Sequence, residues 1–167
     1  PNTLAGFIAH ARAHPGQLTF ASSGQGATSH LANEMFNRAA GIEATHVPYR
    51  GSAPATVDLM AGRVDFFFDA LSTVLENARA GRVQLLAVTT AGRAPQAPDV
   101  PTVAEAAIPG FSSAPWWGYN CPAGTPAPVV ARLNAAMNAA MAQPAVAAAI
   151  AAQGINPMPM TPAQFEA

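Results

Sequence analysis

Leu18-Thr-Phe-Ala-Ser-Ser-Gly-Gln-Gly-Ala-Thr-Ser-His-Leu-Ala-Asn-Glu-Met-Phe36 reads as a short apolar strand, a turn of small residues, and then a helix. Gly24 and Gly26 let the backbone turn tightly and come close to whatever lies above it. The helix opens at Ala27 or Thr28, so its unpaired amides and positive dipole end face that same space. Such a terminus suits a carboxylate or phosphate better than a cation. The stretch therefore predicts a site for a small carboxylate.

Working outward, the same strand-to-helix device recurs. Upstream, Asn2 or Thr3 is placed to cap a helix over 4–13, with Leu4, Phe7, Ile8 and Ala11 on one face. Downstream, Gly41 stops the central helix, and 44–48 is a second strand turning through Tyr49-Arg-Gly-Ser52 into a helix over 53–61. A third strand spans 64–69, where the Phe66-Phe67-Phe68 run predicts burial on both faces, followed by a helix over 71–80 and a fourth strand over 83–90. Strands alternating with helices of about ten residues argue for an α/β fold with a mostly parallel sheet. From 91 to 110 prolines break the pattern, leaving one short helix near 103–107. An extended run, 111–121, holds Trp116-Trp117, and alanine-rich helices follow, one running to 142 and one over 144–153. The domain boundary is expected near residue 110, giving lobes over 1–110 and 111–167.

Composition narrows the function classes. Half of the 167 residues are apolar, a tenth are charged, the net charge is −1, and all basic residues are arginine apart from four histidines. No basic face for nucleic acid is in sight, and no run of about eighteen apolar residues would span a bilayer. The single cysteine, Cys121, has no internal disulfide partner, and no Cys/His pair has zinc-ligand spacing. A phosphate-loop lysine is impossible without lysine. Ser22-Ser-Gly-Gln-Gly26 is no nucleophile elbow, because neither serine has a glycine two places before it. Gly24-Gln-Gly-Ala-Thr-Ser29 lacks the third glycine of a dinucleotide fingerprint. No cofactor and no metal are implied. Binding without chemistry fits better than catalysis.

In open parallel sheets, ligands sit beyond the carboxyl ends of the strands. That places candidates at Ser23, Gly24, Gly26, Ala27, Thr28 and His30 after the first strand, at Tyr49, Gly51 and Ser52 after the second, and at Asp69 after the third. Plainer roles stand beside each: Ser22, Ser23 and Thr28 as turn and cap, Ser52 and Asp69 as helix caps, His30 as a packed, hydrogen-bonded histidine, and Arg50 as a solvated charge. Ser29 and His30, being adjacent on a helix, point about a hundred degrees apart and do not make a catalytic pair.

Five segments then come in order. They are Leu18 to Leu31; His46-Val-Pro-Tyr-Arg-Gly-Ser-Ala-Pro-Ala55; Asp99-Val-Pro-Thr-Val-Ala-Glu-Ala106; Trp116-Trp-Gly118; and Pro122-Ala-Gly-Thr-Pro-Ala-Pro-Val-Val-Ala-Arg-Leu133. Together they closely resemble the extracytoplasmic receptors of the tripartite tricarboxylate transporter system, the Bug or TctC-like family. The resemblance implies a type 2 periplasmic-binding-protein fold, a Venus flytrap of two lobes joined by crossover strands. It implies a small carboxylate ligand (a di- or tricarboxylate, an amino acid or an aromatic acid), permease subunits in the membrane as partners, a monomer when complete, and a periplasmic location. Laid on the family, 1–110 matches most of the second lobe, 111–121 the return crossover, and the last helices part of the first lobe. The chain opens at Pro1 without Met and ends within a helical pattern, so it reads as a piece of a longer protein whose absent part carries a signal peptide and the first lobe's loops. The family motif carries over onto Ser23, Gly24, Gly26, Thr28 and His30, onto Tyr49, Gly51 and Ser52, and onto Asp69. Where many members have Gly or Thr, Ala27 leaves only its amide. Two other classes remain open from the residues themselves: the effector domain of a transcription regulator, and an enzyme acting on a small organic acid.

Overall fold

The computed structural model describes residues 1–115, 118–152, 155 and 157–166. The chain divides into two compact units, Pro1–Pro115 and Trp116–Ala167.

In the first unit, α1 (Leu4–Ala13) starts under the Thr3 hydroxyl, which accepts the Gly6 N–H at 3.1 Å. Its face of Leu4, Phe7, Ile8 and Ala11 is buried, as the spacing predicts. β1 (Leu18–Ser22) follows, then α2 (Thr28–Ala40), β2 (Ala44–Pro48), α3 (Ser52–Met60), β3 (Phe66–Phe67), α4 (Leu71–Arg79) and the short α5 (Val103–Ala106). The strands form one parallel sheet in the order β2-β1-β3. Leu18 pairs with Ala44 and Ser22 with Pro48, so β1 and β2 end level and their loops emerge side by side.

Both faces of the sheet are covered. On one, Phe7, Ile8, Leu18, Phe36, Ala40, Val103 and Phe111 form the main core, with Phe66 and Phe68 packed against it. On the other, Ala21, Ala55 and Val64 are buried, with Phe67 against them. The three phenylalanines thus alternate between faces, as a strand buried on both sides requires. Gly41 closes α2 in the left-handed region at φ 60°, and the Arg12 side chain adds a hydrogen bond to the last helical carbonyl, that of Ala40, at 2.8 Å.

Two strands are shorter than the sequence predicts. In place of a strand over 64–69, only Phe66–Phe67 pairs with β1. The Thr19 N–H, which would meet a neighbouring carbonyl, goes to the Asp65 carboxylate at 2.7 Å, and the Thr19 hydroxyl joins it at 2.9 Å. A side chain has taken one half of the ladder there, while the Asp65 N–H still donates to the Thr19 carbonyl at 3.0 Å. In place of a strand over 83–90 there is one isolated parallel bridge, Val88 to Thr102. A strand needs a neighbour's edge, and β3 offers an edge of only two residues. The run 111–121 forms no strand among its described residues, and Trp116-Trp117 lie outside them. Phe111 turns inward instead and meets Phe36 edge-on.

The second unit contains α6 (Ala127–Met141), α7 (Pro144–Ala152) and α8 (Pro162–Glu166). The amides of Asn134 and Asn138 both donate to the Met160 carbonyl, at 2.9 and 3.2 Å, tying the segment before α8 to α6. Among the described residues no single helix is long and apolar enough to cross a membrane.

Candidate functional site

At the end of β1 the serines fold inward. Ser22 is fully buried; its hydroxyl donates to the Gly24 carbonyl at 3.0 Å and accepts the Gly24 N–H at 3.2 Å. The Ser23 N–H donates to the Ser29 hydroxyl at 2.9 Å, and the two hydroxyls lie 2.9 Å apart. Gly26 sits at φ 74°, where a Cβ is strained, and its N–H donates to Nδ1 of His30 at 3.0 Å. Ala27 is the N-cap of α2 and offers no side-chain oxygen. Thr28 is the first helical residue and exposed, so neither it nor a serine caps this helix. His30 is packed and hydrogen-bonded, with its side chain 14% exposed.

The second loop is fastened to the first. Tyr49 N–H donates to Ser22 O and Gly51 N–H to Ser23 O, both at 3.0 Å. Gly51, at φ 110°, is the N-cap of α3, again without a side-chain cap. Ser52 does not cap: it is the first helical residue, and its hydroxyl reaches across to Oδ1 of Asp69 at 2.8 Å. The Tyr49 ring turns away from this edge and packs against the second core, its hydroxyl donating to Asp58 at 2.9 Å beside Arg63. Burial, and then the Asp58 hydrogen bond, push the Tyr49 phenol up, while the bonds from Tyr49 and Arg63 hold the Asp58 carboxyl below its usual range.

The third junction lies between β3 and α4. Its N-cap is Ala70, not Asp69, and it too lacks a side-chain hydrogen bond. Asp69 takes the Ser52 hydroxyl on one oxygen, while its other oxygen is buried without a partner among the described residues.

The structure thus brings Ser23, Gly24, Gly26, Ala27, Thr28, His30, Gly51, Ser52 and Asp69 to one edge of the sheet, with the Tyr49 side chain directed elsewhere. Three consecutive helices begin at that edge, each with its first amides unsatisfied by any cap side chain. Aligned dipoles and unpaired N–H groups give the edge a positive character, and Arg50, exposed in the second loop, adds a cationic side chain. Anions are the matching guests. Among the described residues no group of three metal-ligating side chains gathers. A concavity of about 630 Å³ lies elsewhere, lined by Arg79, Arg82, Gln84 and Asp99 among others, and is not formed by the strand ends.

Sequence reasoning missed His46. It stands opposite Phe20 in the β1–β2 register, its Nε2 is 2.6 Å from the Ser22 hydroxyl, and its ring stacks on His30 with centroids 4.0 Å apart and planes 8° from parallel. The Phe20 ring is near-parallel to both, with its centroid 4.9 Å from that of His46 and 6.3 Å from that of His30. Only the pairing register brings these rings together, and register is not written in either strand alone.

Comparison with known proteins accords with this geometry. Residues 1–166 match the model of the family described as tripartite tricarboxylate transporter family receptor, TctC. A protein from the tcbD-tcbE intergenic region of Pseudomonas sp. strain P51 is 50% identical over 147 residues, which are 87% of this chain and 44% of the relative. The solved structure of Rpa4515 from R. palustris with adipate has a TM-score of 0.91 at 36% identity, covering 99% of this chain and 56% of its own. The periplasmic binding protein BugD has a TM-score of 0.82 at 33% identity, covering 92% of this chain and 52% of its own. The chain spans about half the length of these relatives. It belongs to the TctC family of transporter receptors.

Proposed function

With membership of the TctC receptor family as the premise, we propose that this chain forms one jaw of an extracytoplasmic receptor for a small carboxylate. The observation that carries the reading is the convergence of three uncapped helix N-termini at the carboxyl edge of β1, β2 and β3. The carboxylate accepts hydrogen bonds from the opening amides of α2 and α3, which the Gly51-to-Ser23 bond holds side by side. Asp69, an anion beside the third junction, disfavours a second negative group there and confines the ligand's charge to the first two. A relative that is 36% identical was solved with adipate, a dicarboxylate, which supports this ligand class.

In the complete receptor a second lobe supplies the facing contacts. The ligand then shifts a two-state hinge toward the closed form by touching both lobes at once. The closed receptor works as a monomer and hands its ligand to permease subunits in the membrane. A signal peptide in the longer protein directs export, and neither cofactor nor nucleic acid takes part.

The test is an amide NMR titration of the 167-residue chain with adipate to about 50 mM, enough to detect a Kd of about 10 mM, or about −2.7 kcal/mol. The amides of Gly26, Thr28, Gly51 and Ala53 should shift together, and sucrose should leave them unmoved. Shifts clustered elsewhere, equal shifts with sucrose, or none at all would reject the reading.

A further inference from the structure

Beneath the glycine turn, His30 from α2 and His46 from β2 stack nearly parallel at 4.0 Å, with the Phe20 ring of β1 beside them, 4.9 Å from His46 and 6.3 Å from His30. Each imidazole holds one end of the turn. His30 receives the Gly26 N–H on Nδ1 at 3.0 Å. His46 meets the Ser22 hydroxyl at 2.6 Å, and that hydroxyl is bonded to both the N–H and the carbonyl of Gly24. We infer that this stacked pair is a positioning device for the turn, one whose His30 end holds only while that ring is neutral and releases the Gly26 amide in acid.

The chemistry follows from the donor at Gly26. A backbone N–H can only donate, so Nδ1 of His30 must carry a lone pair, and its proton resides on Nε2. Protonation would put a second donor against that N–H and would break the bond. Protonating both rings would set two cations face to face at 4.0 Å.

Among the described residues, the groups facing the pair are few. On α2, Glu34 lies 3.7 Å from Nε2 of His30 and is exposed. From β1 come only Phe20 and Ser22, and β2 (Ala44–Pro48) carries no charge besides His46 itself. Burial, and then the neighbouring His30, pull His46 below the ordinary 6.5, with Glu34 opposing. The sign is then set: a depressed His46 contributes stability that is fully present above 6.5 and is lost as pH falls through its lowered value.

The consequence for ligand capture rests on the carboxylate reading, but the device itself is testable without ligand. Imidazole nitrogen and amide NMR of the chain are recorded from about pH 8 to about pH 4.5, spanning the histidine range. His30 should show the Nε2–H tautomer at the upper end. The Gly26 amide should follow the imidazole titration with the same midpoint. His30→Asn supplies an oxygen acceptor that does not titrate: it should keep the Gly26 amide near its neutral-pH position and abolish that amide's acid response. An Nδ1–H tautomer, a Gly26 amide indifferent to the titration, or an unchanged acid response in His30→Asn would overturn the inference. Should the variant fail to fold, the tautomer and the wild-type titration decide it alone.

Discussion

Helices α1 and α5 begin under threonine hydroxyls, whereas α2, α3 and α4, in the same unit, begin at Ala27, Gly51 and Ala70. At α5 the capping is complete: Thr102 accepts the Glu105 N–H at 3.0 Å, Glu105 accepts the Thr102 N–H at 2.9 Å, and Arg93 steadies the carboxylate at 2.8 Å. Those bonds hold the Glu105 carboxyl below its usual range, the Thr102 backbone first and Arg93 second. A Ser, Thr, Asp or Asn cap stabilises by about 1 kcal/mol relative to alanine. The strand-end helices forgo that contribution while serine and threonine lie within a few residues of each of them. Ser22, Ser23 and Ser29 brace the turn, and Ser52 braces Asp69. The lesson is positional: hydroxyls near the strand ends hold loops in shape, and the opening amides stay uncapped, as the proposed carboxylate site requires.

Two substitutions press on this contrast from opposite sides. The larger effect is expected from Gly26→Asp, which sets a carboxylate where the ligand's should lie. Adipate affinity should fall at least tenfold, about 1.4 kcal/mol or more, while the left-handed backbone at φ 74° adds a stability cost of about 1 kcal/mol. Gly26→Asn carries the same strain without the charge and should bind better than the aspartate. Equal binding by wild type and Gly26→Asp in the NMR titration would take the turn out of the site. The smaller effect belongs to Thr102→Val. This buried cap should cost about 1–2 kcal/mol in a urea melt and leave the adipate response unchanged, because α5 stands outside the strand-end cluster. A parallel loss of affinity would erase the distinction between the two kinds of terminus.

How far the sequence carries depends on whether a feature is set locally. The bounds of α1, β1 and β2 follow from spacing and from glycine or proline punctuation, and the structure reproduces them. At its start β3 falls short where the Asp65 carboxylate, forty-six positions from Thr19, takes the N–H that a ladder would have used. No local pattern announces that. The strand ends themselves are legible, since strand–turn–helix alternation places the loops after β1, β2 and β3 on one edge. Side-chain destinations are less so. Tyr49 follows a turn yet finds Asp58 on the far side of α3's first turns, and Ser52 looks like a cap until Gly51 takes that position and frees its hydroxyl for Asp69. His46 shows as an ordinary strand residue until the register sets it opposite Phe20, with its ring against that of His30.

The central claim, that α2 is left uncapped so that its amides can take a carboxylate, is met most directly by Ala27→Ser. Serine adds no charge, and Ala27 already has the extended backbone of an N-cap, φ −64° and ψ 160°. Its hydroxyl would accept an opening amide of the helix from within. Urea melts and adipate titrations of the same sample should show stability rising by about 0.5–1 kcal/mol while affinity falls several-fold. A stabilised variant that binds adipate as well as the wild type, or better, would contradict the account.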